Sequence, residues 1–193
     1  MLIAISGKAR AGKDTLGSVM QKIGSEAFNK DIKLVSFAYK LKKIAMDNFY
    51  LSDEQVNGSL KEQEDPRWGY ITPRAILQKL GTSYREIYPN YWIDAVISDY
   101  KRDESQCFVI TDCRYKNEAN AVIKAGGIVV RVNRPDIYRG KVTDPTHGSE
   151  VDLDDFQMFY DVVDNSKSIE DLVIPATKIL YNQLYEEQFS MCT

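Results

Sequence analysis

Apolar blocks alternate with amphipathic blocks along the chain, and this pattern predicts strands that alternate with helices. Residues 2–6 form an apolar run that predicts a buried strand, and a glycine-rich turn then leads into helical spacing over about 13–23. The other predicted strands are 33–37, 107–111, 128–132 and 159–163, and the other predicted helices are 39–50, 73–87, 91–101, 116–125 and 168–185. This alternation is typical of an α/β domain with a mostly parallel sheet.

Two polar segments interrupt the pattern. Residues 51–70 combine several acids with a proline, and we interpret them as the start of a helical insertion over 51–104. Residues 134–154 are also polar and rich in turn-forming residues. Because no low-complexity tract or repeat separates these segments, we expect a single domain over 1–193.

Composition excludes several classes of protein. An apolar content of 44% and a charged content of 27% are those of an ordinary folded domain. The net charge of -3 and the pI near 5.3 argue against a protein that coats nucleic acid, which would present a basic surface. Cys107, Cys113 and Cys192 lack the spacing of a zinc site or a disulfide framework. The cysteine pattern fits a reducing cytoplasm best. No apolar run is long enough to cross a bilayer.

The segment that follows the first strand, GKARAGKDT, is a candidate phosphate loop. It satisfies G-x-x-x-x-G-K and lies between a strand and a helix, as the motif requires. Glycines let backbone N–H groups surround phosphate oxygens, the helix N-terminus adds positive potential, and Lys13 can bridge the terminal phosphates. The candidate nucleotide-binding residues are Gly7, Ala9, Arg10, Ala11, Gly12, Lys13, Asp14 and Thr15. The alternative, a glycine-rich turn without a ligand, is disfavoured by this context.

The residues after Lys13 depart from the usual motif. Asp14 occupies the position of the usual serine or threonine, and Thr15 follows one place later. The Thr15 hydroxyl can still reach a phosphate or Mg²⁺. Asp14 either binds Mg²⁺ through water or stabilises the positive end of the helix, and the sequence leaves both roles open.

A second polar cluster, TDCRYKNE, begins at the end of the strand predicted over 107–111. Ligands of open α/β sheets bind outside the carboxyl ends of the strands, so we expect Asp112 to point towards the phosphate loop. Its carboxylate would there position Mg²⁺ or the metal's waters, while Arg114 would neutralise phosphate charge. The alternative is that both residues only cap and pair at the end of the strand.

The helix that begins at Pro73, with Thr72 as its N-cap, has the features of a site for an anionic ligand. Arg74 and Arg85 lie eleven residues apart, about three helical turns, and can share a face with Gln78. Arginines bind phosphate, and the aromatic residues nearby suit a planar base. Aromatic packing beside solvated charges explains the same spacing equally well.

The sequence contains a single histidine, His147, in a turn-like segment. A lone histidine establishes neither a catalytic triad nor a metal site, and we interpret His147 as a hydrogen-bonding residue of a loop. No G-x-S-x-G elbow or Cys/His cluster appears, so acyl transfer and zinc chemistry are disfavoured.

In order and spacing, these segments resemble the deoxynucleoside monophosphate kinases of tailed bacteriophages, within the wider group of P-loop nucleoside monophosphate kinases. The resemblance runs through most of the chain and is more specific than the phosphate loop alone. The segments that carry it are GKARAGKDT at Gly7, SFAYKLK at Ser36, TPRAILQKLGT at Thr72, YWID at Tyr91, TDCRYKNEA at Thr111, GGIVVRVNRP at Gly126, HGSE at His147 and DNSKSIEDL at Asp164.

The resemblance implies a three-layer P-loop kinase fold with a mostly parallel sheet, a helical monophosphate-binding insertion over 51–104 and a lid over 134–154. It implies ATP and Mg²⁺ as cofactors and a deoxynucleoside 5′-monophosphate as the small-molecule partner. The γ-phosphoryl group would pass directly to the monophosphate, without a phosphoenzyme. Thr15 would then supply the hydroxyl that the usual motif carries one position earlier.

The resemblance also implies roles for individual residues. Lys13, Arg114 and Arg134 are implied as catalytic residues, and Asn165 is implied as a residue near the adenine. The implied substrate-binding residues are Arg74, Gln78, Thr82, Arg85, Trp92, Asp94, Asp112 and Glu150. The implied Mg²⁺ ligands, directly or through water, are Thr15 and Asp112.

Two other functions share the phosphate loop. One is a P-loop kinase for another small acceptor, such as dephospho-coenzyme A. The other is a nucleotide-binding switch that transfers no phosphate, although the chain lacks the guanine-reading N-K-x-D motif. We expect no nucleic acid or membrane partner. Base preference and a homodimer are left open, and a phage origin would place the protein in the cytoplasm of an infected bacterial host.

Overall fold

A computed structural model describes residues 1–103, 105–135 and 146–186. Residues 136–145, within the segment compared above with a lid, lie outside the described residues. Apolar runs rich in Val and Ile form five parallel strands in the order β2-β3-β1-β4-β5. The strands are β1 (Leu2–Ser6), β2 (Ile32–Val35), β3 (Cys107–Cys113), β4 (Ile128–Asn133) and β5 (Asp161–Asp164).

Helices connect the strands, as the amphipathic spacing predicts. They are α1 (Lys13–Phe28), α2 (Tyr39–Phe49), α3 (Asp53–Val56), α4 (Pro73–Ile87), α5 (Tyr91–Arg102), α6 (Lys116–Lys124), α7 (Gly148–Val151) and α8 (Val173–Tyr181). Short 3₁₀ turns lie at Ser59–Glu62, Pro66–Trp68 and Glu170–Leu172, and a π turn lies at Asn182–Glu186.

The last helix differs from its prediction over 168–185. A 3₁₀ turn precedes α8, and a π turn follows it. Pro175 explains the late start, because proline lacks an N–H group and fits an α-helix only in its first turn. Ser168 lies before this turn, and Asp171 Oδ2 accepts from its N–H at 3.1 Å and from its hydroxyl at 2.7 Å.

Strand β3 extends two residues beyond its predicted end through a β-bulge. Ala4 of β1 pairs with Ile110, whereas Ser6 pairs with Cys113, so one residue of β1 faces two residues of β3. Bulges of this kind redirect side chains and often lie next to functional sites. The bulge here includes Asp112 and therefore sets the direction of its carboxylate.

The body formed by residues 1–36 and 97–193 has its core around β1. Helices α1 and α8 pack on the sheet face that carries Ile3 and Ile5, with Leu16 among the buried residues. Helix α6 covers the opposite face, where Val122 and Leu2 approach Gly127. Full burial of one such leucine or isoleucine contributes about 1.5–3 kcal/mol. The packing makes the carboxyl edge of the sheet a rigid base for the loops that follow the strands.

Residues 37–96 form a second compact unit. Its apolar core includes Val56, Ile76 and Leu77. The predicted start of α4 is confirmed, because Thr72 Oγ1 accepts a hydrogen bond from the N–H of Ala75 at 3.2 Å. This unit differs at both ends from the insertion predicted over 51–104.

A buried carboxylate, Asp65, fixes the polar turn of this second unit. Gln55 Nε2 donates to it at 2.9 Å and Arg67 Nε at 2.9 Å. The Arg67 guanidinium holds the pKa of the Asp65 carboxyl far below its usual range. A depressed folded-state pKa means that this pair stabilises the fold above the unfolded pKa of about 3.9 and that the contribution is lost as the pH falls below it.

Candidate functional site

Polar candidates from the sequence gather at one edge of the sheet. Because all five strands run parallel, the residues that follow them meet at the same edge. The candidates that lie at or directly after the ends of β1, β2, β3, β4 and β5 are respectively Gly7, Ser36, Asp112, Arg134 and Asn165. This edge of the residue 1–36 and 97–193 body is the candidate functional site.

The backbone of the phosphate loop has the conformation that its glycines predict. Gly12 has a φ of 96° and is the N-cap of the 16-residue helix α1. No side chain caps this N-terminus, so its backbone N–H groups are the donors that it offers to an anion. At Gly7, a Cβ atom would lie 2.7 Å from the Val132 carbonyl oxygen of the neighbouring strand. Arg10 adopts a φ of 61°, which is uncommon for a residue with a side chain. The loop is therefore held in a specific, partly strained shape.

Lys13 lies inside the phosphate loop and is 7% exposed. Its ammonium group donates to the carbonyl oxygens of Gly7 at 2.8 Å and Lys8 at 3.0 Å. Burial lowers the pKa of Lys13 to about 8, and nearby Arg114 adds to the decrease, while Glu150 and two aspartates oppose it. The group therefore stays mostly protonated at neutral pH and is surrounded by the charged candidates named from the sequence.

Asn165 anchors the phosphate loop from the last strand of the sheet. Its side-chain Nδ2 donates to the Ala11 carbonyl oxygen at 2.8 Å, and a Cβ atom on Gly12 would collide with the same amide. The N–H and C=O groups of a trans peptide point in opposite directions. A carbonyl fixed towards Asn165 therefore turns the N–H of Gly12 the other way. This contact assigns Asn165 a direct role in shaping the loop, which the sequence did not suggest.

Replacing Asn165 by aspartate is expected to weaken binding of the nucleotide predicted for this loop at least tenfold, because the carboxylate cannot donate to the Ala11 carbonyl, the lost buried hydrogen bond is worth about 1–3 kcal/mol, and the new negative charge repels phosphate. Calorimetric titration with ATP measures the change. Asn182→Asp is the matched control, since Asn182 bonds to the Tyr160 hydroxyl on another part of the body. Equal affinities in the two variants would contradict the anchoring role.

Asp112 and Thr15 supply oxygen donors near the loop. The carboxylate of Asp112 accepts a hydrogen bond from the Ser36 hydroxyl at 2.6 Å, and Thr15 lies in the first turn of α1. Asp14, in the same turn, is exposed. Across the described ranges, no group of three or more His, Cys, Asp or Glu side chains could hold a metal ion by itself. The donor set fits Mg²⁺, which typically takes one or two protein oxygens and completes its shell with waters and substrate phosphates.

Arg114 is held at both its backbone and its side chain. Its N–H donates to Glu118 Oε2 at 2.7 Å, and the Tyr115 N–H donates to the same oxygen at 3.1 Å. Its guanidinium donates to Glu150 Oε1 at 2.8 Å. Glu118 was not among the residues predicted for the site, although a glutamate three residues after an N-cap, here Tyr115, is a known capping signal. The pairing that the sequence left as an alternative for Arg114 is thus present, in a place where it also faces Lys13.

Arg134 lines a cavity beside the phosphate loop. The cavity has a volume of about 390 Å³ and is lined by Lys8, Ala11, Arg131, Val132, Asn133, Arg134, Pro135 and Asp164. Among the described residues, the buried Nε of Arg134 finds no hydrogen-bond partner. A buried donor without a partner is unfavourable unless a ligand supplies an acceptor. The cavity therefore has the positive charge expected of a site for an anionic ligand, which Lys8, Arg131 and Arg134 supply.

Helix α4 of the second unit carries the predicted arginine stripe. At about 3.6 residues per turn, its four predicted positions fall within roughly one quarter of the helix circumference. These positions are Arg74, Gln78, Thr82 and Arg85. The two guanidinium groups have different contacts, because Arg74 pairs with Glu62 whereas Arg85 lies against Gly81. The shared face is confirmed, and binding of one ligand by both arginines stays a prediction.

Trp92 and Asp94 occupy different environments on α5. Trp92 is 1% exposed, donates to the Gly81 carbonyl oxygen at 3.3 Å and packs on the rings of Tyr84 and Tyr91. These contacts assign the Trp92 ring to packing, so a direct ligand contact gains no support from its position. Asp94 is exposed and accepts a hydrogen bond from the Tyr88 hydroxyl at 2.7 Å.

Glu150 reaches the phosphate loop from α7. One carboxylate oxygen accepts from the Ala9 N–H at 2.6 Å, and the other accepts from Arg114. His147 caps α7, since its Nδ1 accepts from the Ser149 N–H at 3.2 Å. The interpretation of His147 as a hydrogen-bonding residue of a loop is confirmed.

The described part of the chain has no helix with the length and apolar character needed to span a bilayer.

Solved structures with the same fold include several kinases. The chain is similar to TT1252 from Thermus thermophilus with a TM-score of 0.54 and 14% identity, over 94% of this chain and 97% of that chain. Shikimate kinase from Aquifex aeolicus vf5 (95% and 98% covered) and dephospho-CoA kinase from Campylobacter jejuni (94% and 96% covered) each match with a TM-score of 0.50 and 15% identity. These structures share the mostly parallel sheet with flanking helices, so the predicted fold class, that of P-loop kinases, is confirmed.

The sequence comparisons identify the family. A model of the deoxynucleotide monophosphate kinase family matches residues 61–175. A protein of Acanthamoeba polyphaga mimivirus that carries deoxynucleotide monophosphate kinase as a provisional name is 32% identical over 186 residues, which cover 89% of this chain and 91% of that protein. The chain belongs to the deoxynucleotide monophosphate kinase family. It is therefore a phosphotransferase that uses a nucleotide, while the phage origin stays a prediction.

Proposed function

We propose that the protein transfers the γ-phosphoryl group of ATP to a deoxynucleoside 5′-monophosphate and releases ADP and a deoxynucleoside diphosphate. One observation carries the proposal. Lys13 lies within a glycine-rich loop at a helix N-terminus and faces Arg114 from the next strand. A loop, a helix end and two cations directed at one place suit the phosphates of a nucleoside triphosphate.

The proposed reaction needs positioning and charge neutralisation more than proton transfer. An oxygen of the acceptor phosphate attacks the γ-phosphorus, the bond from that phosphorus to the β,γ-bridging oxygen breaks, and the electron pair leaves with ADP. Lys13 and Arg114 stabilise the charge on the transferring group. Arg134, which lines the cavity beside the loop, supplies the third cation. No covalent enzyme intermediate is required.

Thr15 and Asp112 are proposed to hold Mg²⁺ together with the nucleotide phosphates. The bound metal would neutralise charge on the β- and γ-phosphates during transfer. Asp112 is well suited because the bulge in β3 and the Ser36 hydroxyl fix its carboxylate at the edge of the sheet. Asp14 is exposed in the same helical turn and would act only through water or through the helix dipole.

The adenine and ribose are proposed to enter the cavity lined by Arg134. Its volume of about 390 Å³ falls within the usual range for small-ligand sites. Arg131 is already paired with Asp154 at 3.0 Å and its guanidinium carbon lies 5.6 Å from the centre of the Phe159 ring, so it forms part of the wall. Asn165 then serves the nucleotide mainly through the phosphate loop.

The acceptor is proposed to bind the stripe on α4. Arg74 and Arg85 are both proposed for the 5′-phosphate, and binding through Arg74 would break its pair with Glu62. Gln78 and Thr82 are exposed on the same face and can form hydrogen bonds to the sugar or the base.

The protein is proposed to act on small molecules in the cytoplasm. Its acidic charge balance supports the absence of a nucleic acid partner.

The proposal is tested with a coupled assay that follows ADP release from ATP in the presence of each of the four deoxynucleoside monophosphates. At least one monophosphate is expected to stimulate ADP release strongly. Dephospho-coenzyme A serves as the rival acceptor in a parallel reaction. Tight ATP binding without stimulation by any monophosphate would contradict the proposed reaction and would favour a nucleotide-binding switch.

The same assay locates the acceptor through a pair of α4 variants. Arg85→Ala is expected to raise the KM for the monophosphate about tenfold and to leave the KM for ATP unchanged, because a charged hydrogen bond is worth about 1.5–3 kcal/mol. Lys79→Ala is the matched control, since Lys79 is exposed on another face of α4. A rise in the KM for ATP instead would assign Arg85 to the donor.

A further inference from the structure

The carboxylate of Glu150 is hydrogen-bonded to the backbone of the phosphate loop. Glu150 Oε2 accepts from the Ala9 N–H at 2.6 Å and Oε1 accepts from the Arg114 guanidinium at 2.8 Å. The Glu150 side chain is 7% exposed, whereas that of Arg114 is 32% exposed. A backbone N–H of the loop and an arginine from β3 are the same two kinds of donor that the proposed reaction assigns to a phosphate.

Neighbouring acids hold Glu150 at this place. Asp154 pairs with Lys8 of the loop at 2.9 Å and also with Arg131, while Asp152 accepts from the Lys116 N–H at 2.6 Å. Asp155 pairs with the Lys116 ammonium group at 2.7 Å. The segment that follows His147 is thus fastened to the loop and to the start of α6 by four carboxylates. Glu150 is the one of these four that combines a loop N–H with the candidate catalytic arginine.

We infer that Glu150 is a placeholder for the terminal phosphate of the nucleotide: its carboxylate holds Arg114 and the Ala9 N–H in the free enzyme, and binding of the triphosphate displaces it. The inference rests on the proposed use of ATP and goes beyond it by naming the group that the phosphate replaces. It changes the role of Glu150 from a substrate-binding residue to a competitor of the substrate.

Electrostatics explains why the two anions exchange. The Ala9 N–H has a single hydrogen to donate, and a phosphate oxygen that takes it would lie against the Glu150 carboxylate and meet strong repulsion at short range. The carboxylate stabilises the free enzyme, because it pairs with the Arg114 guanidinium and accepts from the partly buried Ala9 N–H. ATP binding must therefore break these two bonds of Glu150, and this exchange lowers the measured affinity for ATP.

Glu150→Gln tests the inference with little change in shape. The glutamine oxygen can still accept from the Ala9 N–H, but the neutral amide no longer pairs with Arg114. We expect the variant to bind ATP about tenfold more tightly than the parent in the presence of EDTA, a gain of about 1.4 kcal/mol. We also expect the ligand-free variant to melt at a lower temperature and to show a larger upward shift on adding ATP.

Asp155→Asn is the matched control, because it removes one negative charge from the same segment without touching the phosphate loop. Calorimetry with ATP is run for the parent and both variants, first with EDTA and then with excess Mg²⁺. The control is expected to keep the parent affinity in both conditions. An equal gain in both variants would reduce the effect to general charge and would overturn the placeholder role.

Two further outcomes would overturn the inference. Weaker binding of metal-free ATP by Glu150→Gln would show that the carboxylate only supports the fold of the loop. Unchanged binding with EDTA but weaker binding with Mg²⁺ would make Glu150 a metal-linked residue. The proposed function fails separately, because in that case the parent protein itself shows no ATP-dependent transfer to a monophosphate.

Discussion

Lys13→Ala is expected to lower kcat for phosphoryl transfer between about 100-fold and 1000-fold, the range seen when one preorganised donor to a developing charge is removed. The ammonium group is buried within the loop and lies beside Arg114, Asp112 and Glu150. In the free enzyme it rests on the carbonyl oxygens of Gly7 and Lys8, so it reaches a phosphate without leaving the loop. The coupled ADP-release assay measures kcat at saturating ATP and monophosphate.

Lys22→Ala is the matched control for this prediction, because Lys22 is an exposed lysine on the same helix. Lys13→Met is a second variant that keeps the aliphatic stem and removes only the charge. Both Lys13 variants lose the hydrogen bonds to the Gly7 and Lys8 carbonyl oxygens, so thermal melting is used to verify that each variant is folded before kcat values are compared. A Lys13→Ala enzyme that kept most of the parent kcat would contradict the catalytic role.

Signals that act over a few residues made much of this fold predictable. The start of α4 is encoded by Thr72 and Pro73 side by side, and the structure contains both the cap and the helix. The phosphate loop is equally local, because its glycines, its lysine and the following helix are adjacent in the chain. The parallel sheet was also predictable, because runs rich in Val and Ile are likewise local signals.

Contacts between distant segments could not be predicted in this way. The Glu150 contact to Ala9 joins residues 141 apart, and the Asn165 contact to Ala11 joins residues 154 apart. The bulge at Asp112 depends on the register between β1 and β3, which neither strand encodes alone. Spacing also could not decide whether Trp92 packs in the core or contacts a ligand. A helical period shows which residues share a face of the helix, but it does not show what that face contacts.

The two regions assigned to phosphates share one feature in the ligand-free chain. Arg114 is paired with Glu150 near the loop, and Arg74 is paired with Glu62 beside α4. A surface pair such as Arg74 with Glu62 contributes at most about 1 kcal/mol, so a phosphate displaces it easily. The pair at Glu150 is better buried, so we expect its displacement by a phosphate to cost more than that of the pair at Glu62.

Arg114→Ala is expected to lower kcat roughly 1000-fold, because an arginine that neutralises charge on a transferring phosphoryl group is worth at least that factor. The Glu118 carboxylate fixes the Arg114 backbone, and Glu150 fixes the guanidinium, so the side chain is oriented before the substrate arrives. Arg114→Lys is expected to recover only part of the rate, since an ammonium group is a point charge that cannot bind a phosphate in two places.

The kinetic pattern separates catalysis by Arg114 from simple binding. Loss of an interaction made only in the transition state lowers kcat and kcat/KM together, whereas loss of ground-state binding raises KM for ATP at unchanged kcat. Arg102→Ala is the matched control, because the Arg102 side chain is 77% exposed and pairs only weakly with Asp99 on the surface of α5. An unchanged kcat with a raised KM would restrict Arg114 to holding the nucleotide, and charge stabilisation during transfer would then rest on Lys13 and Arg134.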